Sequence, residues 1–165
     1  MKRLVALLSA TVLLAALALA PAVNGVGPCI GPITKSAVYT YADRYASYMY
    51  GDPVKYYKFK LTGRFCYDSF GNAWGQGAIT WSNVQGPLIG LLSTPVYVRS
   101  SGFAYAKLTA GYQLPQHLIL RIEPKLKISG VNGRFTAFDT TARVITESGQ
   151  WAHEFDPVFV SAVLQ

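Results

Sequence analysis

The sequence predicts an all-β domain: an antiparallel β-sandwich, for which an immunoglobulin-like topology is one form, with an eight-stranded β-barrel as the alternative. Three observations support this class. Apolar and polar residues alternate with a period of two over several stretches, as in strands with one buried face. Clusters of Gly, Pro, Asn and Ser separate these stretches at the intervals typical of sandwiches and barrels. After the N-terminal apolar run, no stretch shows a long helical pattern.

The N-terminus has the pattern of a secretory signal peptide. Met1 is followed by Lys2 and Arg3, then by an uninterrupted run of apolar and small residues over 4–20. An A-x-A site at residues 20–22 completes the pattern, so we expect cleavage after a signal peptide spanning 1–22 and a secreted, extracellular or cell-surface location. The alternative is an uncleaved membrane anchor, because the run is close to the shortest that spans a bilayer. Residues 23–165 have the length of one domain.

The two cysteines, Cys29 and Cys66, both lie in the part expected to be exported. An oxidising compartment favours a disulfide between them, which the chain-entropy model values at about 4 kcal/mol. Cys29 lies in a Gly- and Pro-rich stretch, residues 23–34, that predicts an extended leader joined by this bond to the strand that contains Cys66.

Residues 37–50 fit two patterns. Val38, Tyr41, Ala42, Tyr45 and Met49 follow helical spacing, whereas the abundance of tyrosine is typical of a strand. We favour a strand here. Gly, Asp and Pro at residues 51–53 predict a turn after it.

Residues 56–81 predict a hairpin. Alternation from Tyr57 to Tyr67 defines a strand with an apolar face and an outer row of basic residues. A turn at residues 68–72 leads to a returning strand over 73–84 that contains Gly75 and Gly77. These glycines indicate a bulge, or a place where another group packs flat on the backbone.

The rest of the chain contains further strand patterns. The most regular one spans residues 117–129, where Pro124 cannot donate a ladder hydrogen bond and therefore predicts a sheet edge or a bulge. Asn132 and Gly133 predict a type I′ turn. Residues 88–92 form a short apolar stretch between turns, and residues 147–156 form a polar loop. The other predicted strands are residues 96–99, 103–114, 134–146 and 157–164.

The net charge limits the set of partners. The 15 Lys and Arg of the chain fall to 13 without residues 1–22, which against 8 Asp and Glu leaves a net charge of +5. This balance favours an acidic glycan, a cell-wall polymer or an anionic membrane surface that the protein contacts peripherally. Nucleic acid is not predicted, because the basic residues are scattered and the protein is expected to be exported.

No stretch predicts catalysis, a metal site or a cofactor. The chain lacks nucleophile-elbow, zinc and phosphate-binding motifs. The polar loop places His153, Glu154 and Asp156 beside Trp151, which supports a small secreted hydrolase only as the weakest hypothesis. Carboxylates paired for glycoside hydrolysis would have to come from scattered acids. Those acids are Asp43, Asp68, Glu123, Asp139, Glu147 and Glu154.

The abundance of aromatic residues is the more informative signal. Half of the residues of each strand face outward, so some rings should be exposed, where they can stack on sugars or form an interface. Basic residues alternate with the first of these rings and could form a rim around a ligand. The candidate aromatics are Tyr48, Tyr50, Tyr56, Tyr57, Trp74 and Trp81, and the candidate rim is Lys55, Lys58, Lys60 and Arg64.

Three functions follow, in order of preference. The first is a non-enzymatic structural or adhesive subunit that self-assembles into an oligomer or filament, because the extended terminal segments could add as strands to a neighbouring copy's sheet. The second is a carbohydrate or cell-wall binding module that uses Tyr and Trp rings. The third is the secreted hydrolase.

Overall fold

A computed structural model describes residues 26–86, 93–152 and 158–165. Within these ranges the chain forms twelve strands and one short helix. They are β1 Ile30–Asp43, α1 Tyr45–Tyr50, β2 Lys55–Tyr67, β3 Ala73–Gly75, β4 Thr80–Gln85, β5 Val96–Ser100, β6 Phe103–Lys107, β7 Ala110–Leu114, β8 Leu118–Ile122, β9 Lys125–Ser129, β10 Phe135–Phe138, β11 Arg143–Thr146 and β12 Phe159–Leu164.

The first layer is a five-stranded antiparallel sheet in the order β12-β1-β2-β3, with β4 also paired to β2. Strand β2 is long enough to hold two short partners on the same side. Its C-terminal part pairs with β3, as in Phe65 with Gly75, and its middle pairs with β4, as in Leu61 with Trp81. β1 and β2 pair over almost their whole length and form the centre of the sheet.

The second layer consists of two sheets in matching order, β10-β9-β6-β5 and β11-β8-β7. The chain runs from β6 into β7, from β8 into β9 and from β10 into β11, so each of these three stretches contributes one strand to each sheet. One register continues across the break, because Lys107 pairs with Lys125 before it and Ala110 with Ile122 after it. The layer is therefore one sheet interrupted along a line, where Pro124 cannot donate a ladder hydrogen bond.

The buried carboxylate of Asp139 lies at this interruption. It accepts hydrogen bonds from the backbone N–H groups of Glu123 (2.7 Å), Thr141 (2.8 Å) and Ala142 (2.9 Å). The hydroxyl of Tyr41 in the first layer also donates to it, at 3.0 Å. Asp139 thus supplies acceptors for groups that the broken ladder leaves unpaired, and it connects the two layers.

The core is a single cluster between the layers, and tyrosine contributes much of it. Burial, and secondarily the nearby Asp139 carboxylate, raise the pKa of Tyr39 and of Tyr41 well above the ordinary value, so both phenols stay neutral. The largest fully buried side chains are Tyr39, Tyr41, Tyr45, Tyr112, Phe59, Phe65, Leu61, Leu108, Leu120, Ile122, Leu126 and Ile128.

The predicted fold class is confirmed: the protein is mostly β, its sheets are antiparallel, and the architecture is sandwich-like. The alternative of a closed eight-stranded barrel is wrong, because the sheets do not close. The predicted strands 103–114, 117–129 and 134–146 are each divided by the line that interrupts the second layer.

The prediction for residues 37–50 is partly wrong. Residues 37–43 belong to β1, but Tyr45–Tyr50 is a helix. The carboxylate of Asp43 accepts a hydrogen bond from the N–H of Tyr45 (2.9 Å) where the chain turns away from the strand. Gly51 ends the helix in the left-handed conformation with φ 73°, and its N–H donates to the carbonyl of Ser47.

The terminal segments are paired within their own chain. The leader is not a separate extended segment throughout, since β1 begins at Ile30 and pairs with β2, and β12 pairs with the other side of β1. Neither segment is therefore free for donation to a neighbouring copy in this structure. The predicted signal peptide (1–22) and the apolar stretch 88–92 lie outside the described residues.

We expect Asp139→Ala to destabilise the protein strongly. The substitution removes the acceptor of three backbone N–H groups and of one buried hydroxyl, and hydrogen bonds to charged groups contribute about 1.5–3 kcal/mol each. The free energy of unfolding in urea should fall by about 3 kcal/mol or more. Asp52→Ala, in an exposed loop, is the control and should change it by less than about 0.5 kcal/mol. Equal effects of the two substitutions would contradict the role given to Asp139.

Candidate functional site

The predicted disulfide between Cys29 and Cys66 is confirmed, with its Cα atoms 5.2 Å apart. Cys66 lies near the end of β2 and pairs in register with Trp74 of β3. The bond joins the residues just before β1 to the far end of β2, so it fixes where the chain enters the first layer.

The carboxylate of Asp68 holds the same region together from the turn after β2. It accepts hydrogen bonds from the backbone of Gly27 (2.7 Å), Phe70 (2.9 Å) and Asn72 (2.9 Å), and from the side-chain amide of Asn72 (2.8 Å). Burial acts to raise the pKa of Asp68, but these hydrogen bonds outweigh it and lower the pKa to about 2. Asp68 therefore stabilises both the predicted turn and the leader.

The six candidate aromatics do not form one platform. Tyr56 lies near the start of β2, whereas Trp74 pairs with Cys66 near its end, so the length of a strand separates them. Tyr57 points into the core and packs on Tyr112 with ring centroids 4.4 Å apart. The guanidinium of Arg99 lies 6.0 Å from the Trp74 ring.

Three of the candidates are well exposed. Tyr48 and Tyr50 of α1 are exposed by 67% and 61%, and Tyr56 by 45%. Trp81 of β4 is 38% exposed and stacks on Phe59.

The glycine prediction for the hairpin is confirmed at Gly75. The ring of Tyr97, from β5 in the other layer, lies on Gly75 so closely that a Cβ would not fit. The Tyr97 hydroxyl accepts a hydrogen bond from the N–H of Arg64 at 2.8 Å. This contact joins the edge of the first layer to β5.

The predicted basic rim forms a row on the outer face of the first layer. Lys58, Lys60 and Arg64 alternate with the buried Phe59, Leu61 and Phe65 along β2. Their cross-strand neighbours on that face are mostly polar: Thr40 and Gln85 pair with Lys58, Ser82 and Val38 with Lys60, and Thr34 with Arg64. Lys55 is exposed at the start of the strand and pairs with Asp43. Among the described residues, no carboxylate forms an ion pair with this row.

A second surface combines rings with lysines on the outer face of the second layer. Strand β6 buries Ala104 and Ala106 and turns Phe103, Tyr105 and Lys107 outward. The adjacent strands β9 and β10 add outward side chains in register. We call this surface the aromatic–lysine face; its members are Phe103, Tyr105, Lys107, Lys125, Lys127 and Phe138.

The aromatic–lysine face has a defined geometry. The rings of Phe103 and Tyr105 are stacked, with centroids 6.1 Å apart and planes at 17°. The ammonium of Lys127 lies 4.1 Å from the centroid of Phe103. Lys125 and Lys107 share Glu123, at 3.2 Å and 3.7 Å. Within the described ranges, Lys127 has no carboxylate partner.

Sequence reasoning missed this face. The period of two already placed Phe103 and Tyr105 on the same side of their strand as Lys107, opposite the alanines. The sequence therefore contained one indication of this face: the inward positions of the strand carry small residues, and the outward positions carry aromatic rings. The proximity of Lys127 depends on the pairing of β6 with β9, which no local pattern specifies.

Strand β4 is an edge of the first layer with an unusual composition. All six residues of TWSNVQ are exposed, and none is charged or proline. Among the described strands it pairs only with β2. Its apolar members Trp81 and Val84 are 38% and 53% exposed.

Most acids of the described chain have structural partners. Asp43, Asp68 and Asp139 are buried and accept hydrogen bonds, and Glu147 lies 3.2 Å from the exposed His117. No group of three or more potential metal-ligating side chains occurs in the part of the chain that the structure describes. His153, Glu154 and Asp156 lie outside it, so the hydrolase hypothesis stays a prediction.

Comparison of the chain with family models, with curated proteins and with solved structures finds no match. The disulfide is compatible with an extracellular location. Within the described ranges, no helix has the length and apolar character needed to cross a membrane.

We expect part of the protein's acid sensitivity to come from Asp68. Its pKa is lower in the folded state than the ordinary 3.8, so its contribution to stability is complete above the ordinary pKa and is lost as the pH falls toward about 2. In Asp68→Asn, the free energy of unfolding in urea should therefore fall less between about pH 5 and pH 2 than in the unchanged protein. Parallel pH profiles for the two proteins would rule out this contribution.

Proposed function

We propose that this chain is a non-enzymatic structural protein of the cell exterior that self-associates through β4, the edge strand at Thr80–Gln85. The observation that carries the proposal is the uncharged, proline-free and exposed character of this strand, whose one irregularity of register with β2 lies at its C-terminal end. An edge strand presents unpaired N–H and C=O groups to any other strand, and soluble proteins usually protect such edges with Lys, Pro, bulges or covering elements.

Two other edges of the described sheets, β5 and β11, are better protected than β4, whereas β12, the opposite edge of the first layer, is also uncharged and proline-free but has two half-buried residues. At the edge formed by β5, Tyr97 packs on Gly75 of the opposite layer, and the exposed Arg99 adds a charge. Strand β11 carries the exposed Arg143, and its Ile145 forms an additional bridge with Trp151. The contrast supports β4 as the edge at which a second strand would add.

Association of two copies through β4 would continue the first layer. A two-fold axis perpendicular to the sheet would pair the β4 strands in antiparallel orientation, which is the commonest symmetry of homo-oligomers. The five strands of each copy would then form one ten-stranded sheet. Trp81 and Val84 would add apolar contact to the backbone hydrogen bonds.

The hydrogen bonds that the buried carboxylates accept from the backbone support a non-enzymatic role. Asp43, Asp68 and Asp139 each accept backbone hydrogen bonds, which leaves these buried acids without a free role in proton transfer. The disulfide and the predicted signal peptide support a location outside the cytoplasm.

A second candidate function is binding of an acidic glycan or cell-wall polymer. It is supported by the aromatic–lysine face rather than by the six aromatics expected from the sequence, because among the described residues this face places parallel rings beside a lysine that has no carboxylate partner there.

The test of self-association is a charge placed on the edge. Val84→Lys adds a positive charge to β4, and the two copies of this charge would lie close together across the proposed contact. Light scattering after size-exclusion chromatography should show dimers or larger species for the unchanged protein and at least about tenfold weaker association for the variant.

Val131→Lys is the matched control, because it makes the same substitution at a turn residue that is 79% exposed and lies in no strand. It should associate as the unchanged protein does. A protein that remains monomeric at its highest soluble concentration, or an equal loss in both variants, would refute association through β4.

A further inference from the structure

We propose that the aromatic–lysine face binds a linear polysaccharide that carries carboxylate groups. The inference rests on the second candidate function and is independent of self-association through β4. It assigns the sugar-stacking role to Phe103 and Tyr105 and the carboxylate-binding role to Lys127.

The rings of this face are not required by the core. A strand with one buried face usually turns its large apolar residues inward, whereas β6 buries Ala104 and Ala106 completely and exposes Phe103 and Tyr105 in part. The small inward residues have a structural reason, since the ring of Phe65 fills the adjacent space between Tyr97 and Phe135. The outward rings fill no space in the core, although Phe103 contacts Lys127, and we assign the pair to a ligand.

The shape of the ring pair suits a sugar. The planes of Phe103 and Tyr105 differ by only 17° and their centroids are 6.1 Å apart, so the two rings lie nearly parallel, and the ammonium of Lys127 lies over one face of Phe103. The apolar face of a pyranose ring packs on an aromatic ring such as Tyr105, and its equatorial hydroxyls remain free for polar neighbours. Ser129 and Thr136 lie on the same side of the sheet, in register with Phe103 and Lys127.

The charge of the face suits a ligand with spaced carboxylates. Three lysines and one glutamate leave a net charge of +2, and the charge of Glu123 is directed to Lys107 and Lys125. Lys127 lies 4.1 Å from the ring centroid of Phe103, so a sugar stacked beside this ring would hold its carboxylate within reach of the ammonium.

A nucleic acid fits this face less well. It carries a phosphate at each nucleotide, and proteins that bind it neutralise several phosphates with a dense set of basic residues. The aromatic–lysine face has one lysine without a carboxylate partner in the described chain. The confirmed disulfide also favours a ligand found outside the cell.

The basic row on the first layer provides an internal control. Lys58, Lys60 and Arg64 attract any polyanion, but their register partners across the ladder are Thr, Ser, Gln and Val residues and not rings. Removing one charge there changes the net charge of the protein as much as removing Lys127 does. Comparison of a substitution in this row with one at Lys127 therefore distinguishes binding at the aromatic–lysine face from general attraction of a polyanion to positive charge.

The experiment measures binding of the disulfide-bonded mature chain to polygalacturonate by calorimetry, with the methyl-esterified polymer as the uncharged form of the same backbone. The unchanged protein should bind polygalacturonate more tightly than its ester. Tyr105→Ala should weaken binding at least about tenfold, because it removes one of the two rings on which the sugar packs. Lys127→Gln should weaken binding to polygalacturonate and reduce the difference between the two polymers.

Two control variants match these changes. Phe70→Ala removes a ring that is 73% exposed in the turn after β2, and Lys60→Gln removes a charge from the basic row. Both should bind as the unchanged protein does, and thermal unfolding checks that every variant is folded. Val84→Lys should still bind polygalacturonate more tightly than its ester, which separates failure of this inference from failure of self-association.

Three results would overturn the inference. The first is the absence of binding to either polymer. The second is an equal loss in Lys60→Gln and Lys127→Gln, which would indicate general attraction of charge. The third is tighter binding to single-stranded DNA or to vesicles of anionic lipid than to polygalacturonate, with the same variants affected, which would assign the face to another class of ligand.

Discussion

The second layer of the fold depends on the carboxylate of Asp139, which accepts hydrogen bonds where the sheet is interrupted. The second layer is one sheet broken along a line, and a broken ladder leaves buried N–H groups without partners, each at a cost of about 1–3 kcal/mol. Asp139 accepts from Glu123, Thr141 and Ala142 at this break and from Tyr41 in the opposite layer. These backbone N–H groups and the Tyr41 hydroxyl therefore keep hydrogen-bond acceptors although the sheet is interrupted here.

The same solution recurs at two other turns, with a consequence for the surface. Asp43 and Asp68 also accept backbone hydrogen bonds where β1 and β2 end. Three of the six acids in the described residues are thus buried, so little negative charge remains on the described surface to balance the lysines of the two outer faces. The positions of the acids thus determine both the hydrogen bonding at the turns and the charge of the surface.

The sequence was sufficient where the determining pattern is local. The alternation along β2, the disulfide and the close packing at Gly75 were predicted and are confirmed. It was insufficient where two local preferences compete, as in α1, where Asp43 captures the N–H of Tyr45 and a short helix follows. It also could not reveal the aromatic–lysine face, because Lys127 and Phe103 are 24 positions apart in the sequence and their contact depends on the pairing of two strands that are not consecutive.

The two proposed surfaces lie on different layers, and this arrangement affects how they could act together. A two-fold axis perpendicular to the first layer preserves the direction of the sheet normal, so the second layers of both copies would lie on the same side. Their aromatic–lysine faces would then point in the same direction. A face with a net charge of +2 and one pair of stacked rings would bind a polymer weakly by itself. When two such faces lie side by side, a polymer bound to one face has a high effective concentration at the other. Self-association would therefore strengthen binding of the polymer without any new contact between protein and ligand.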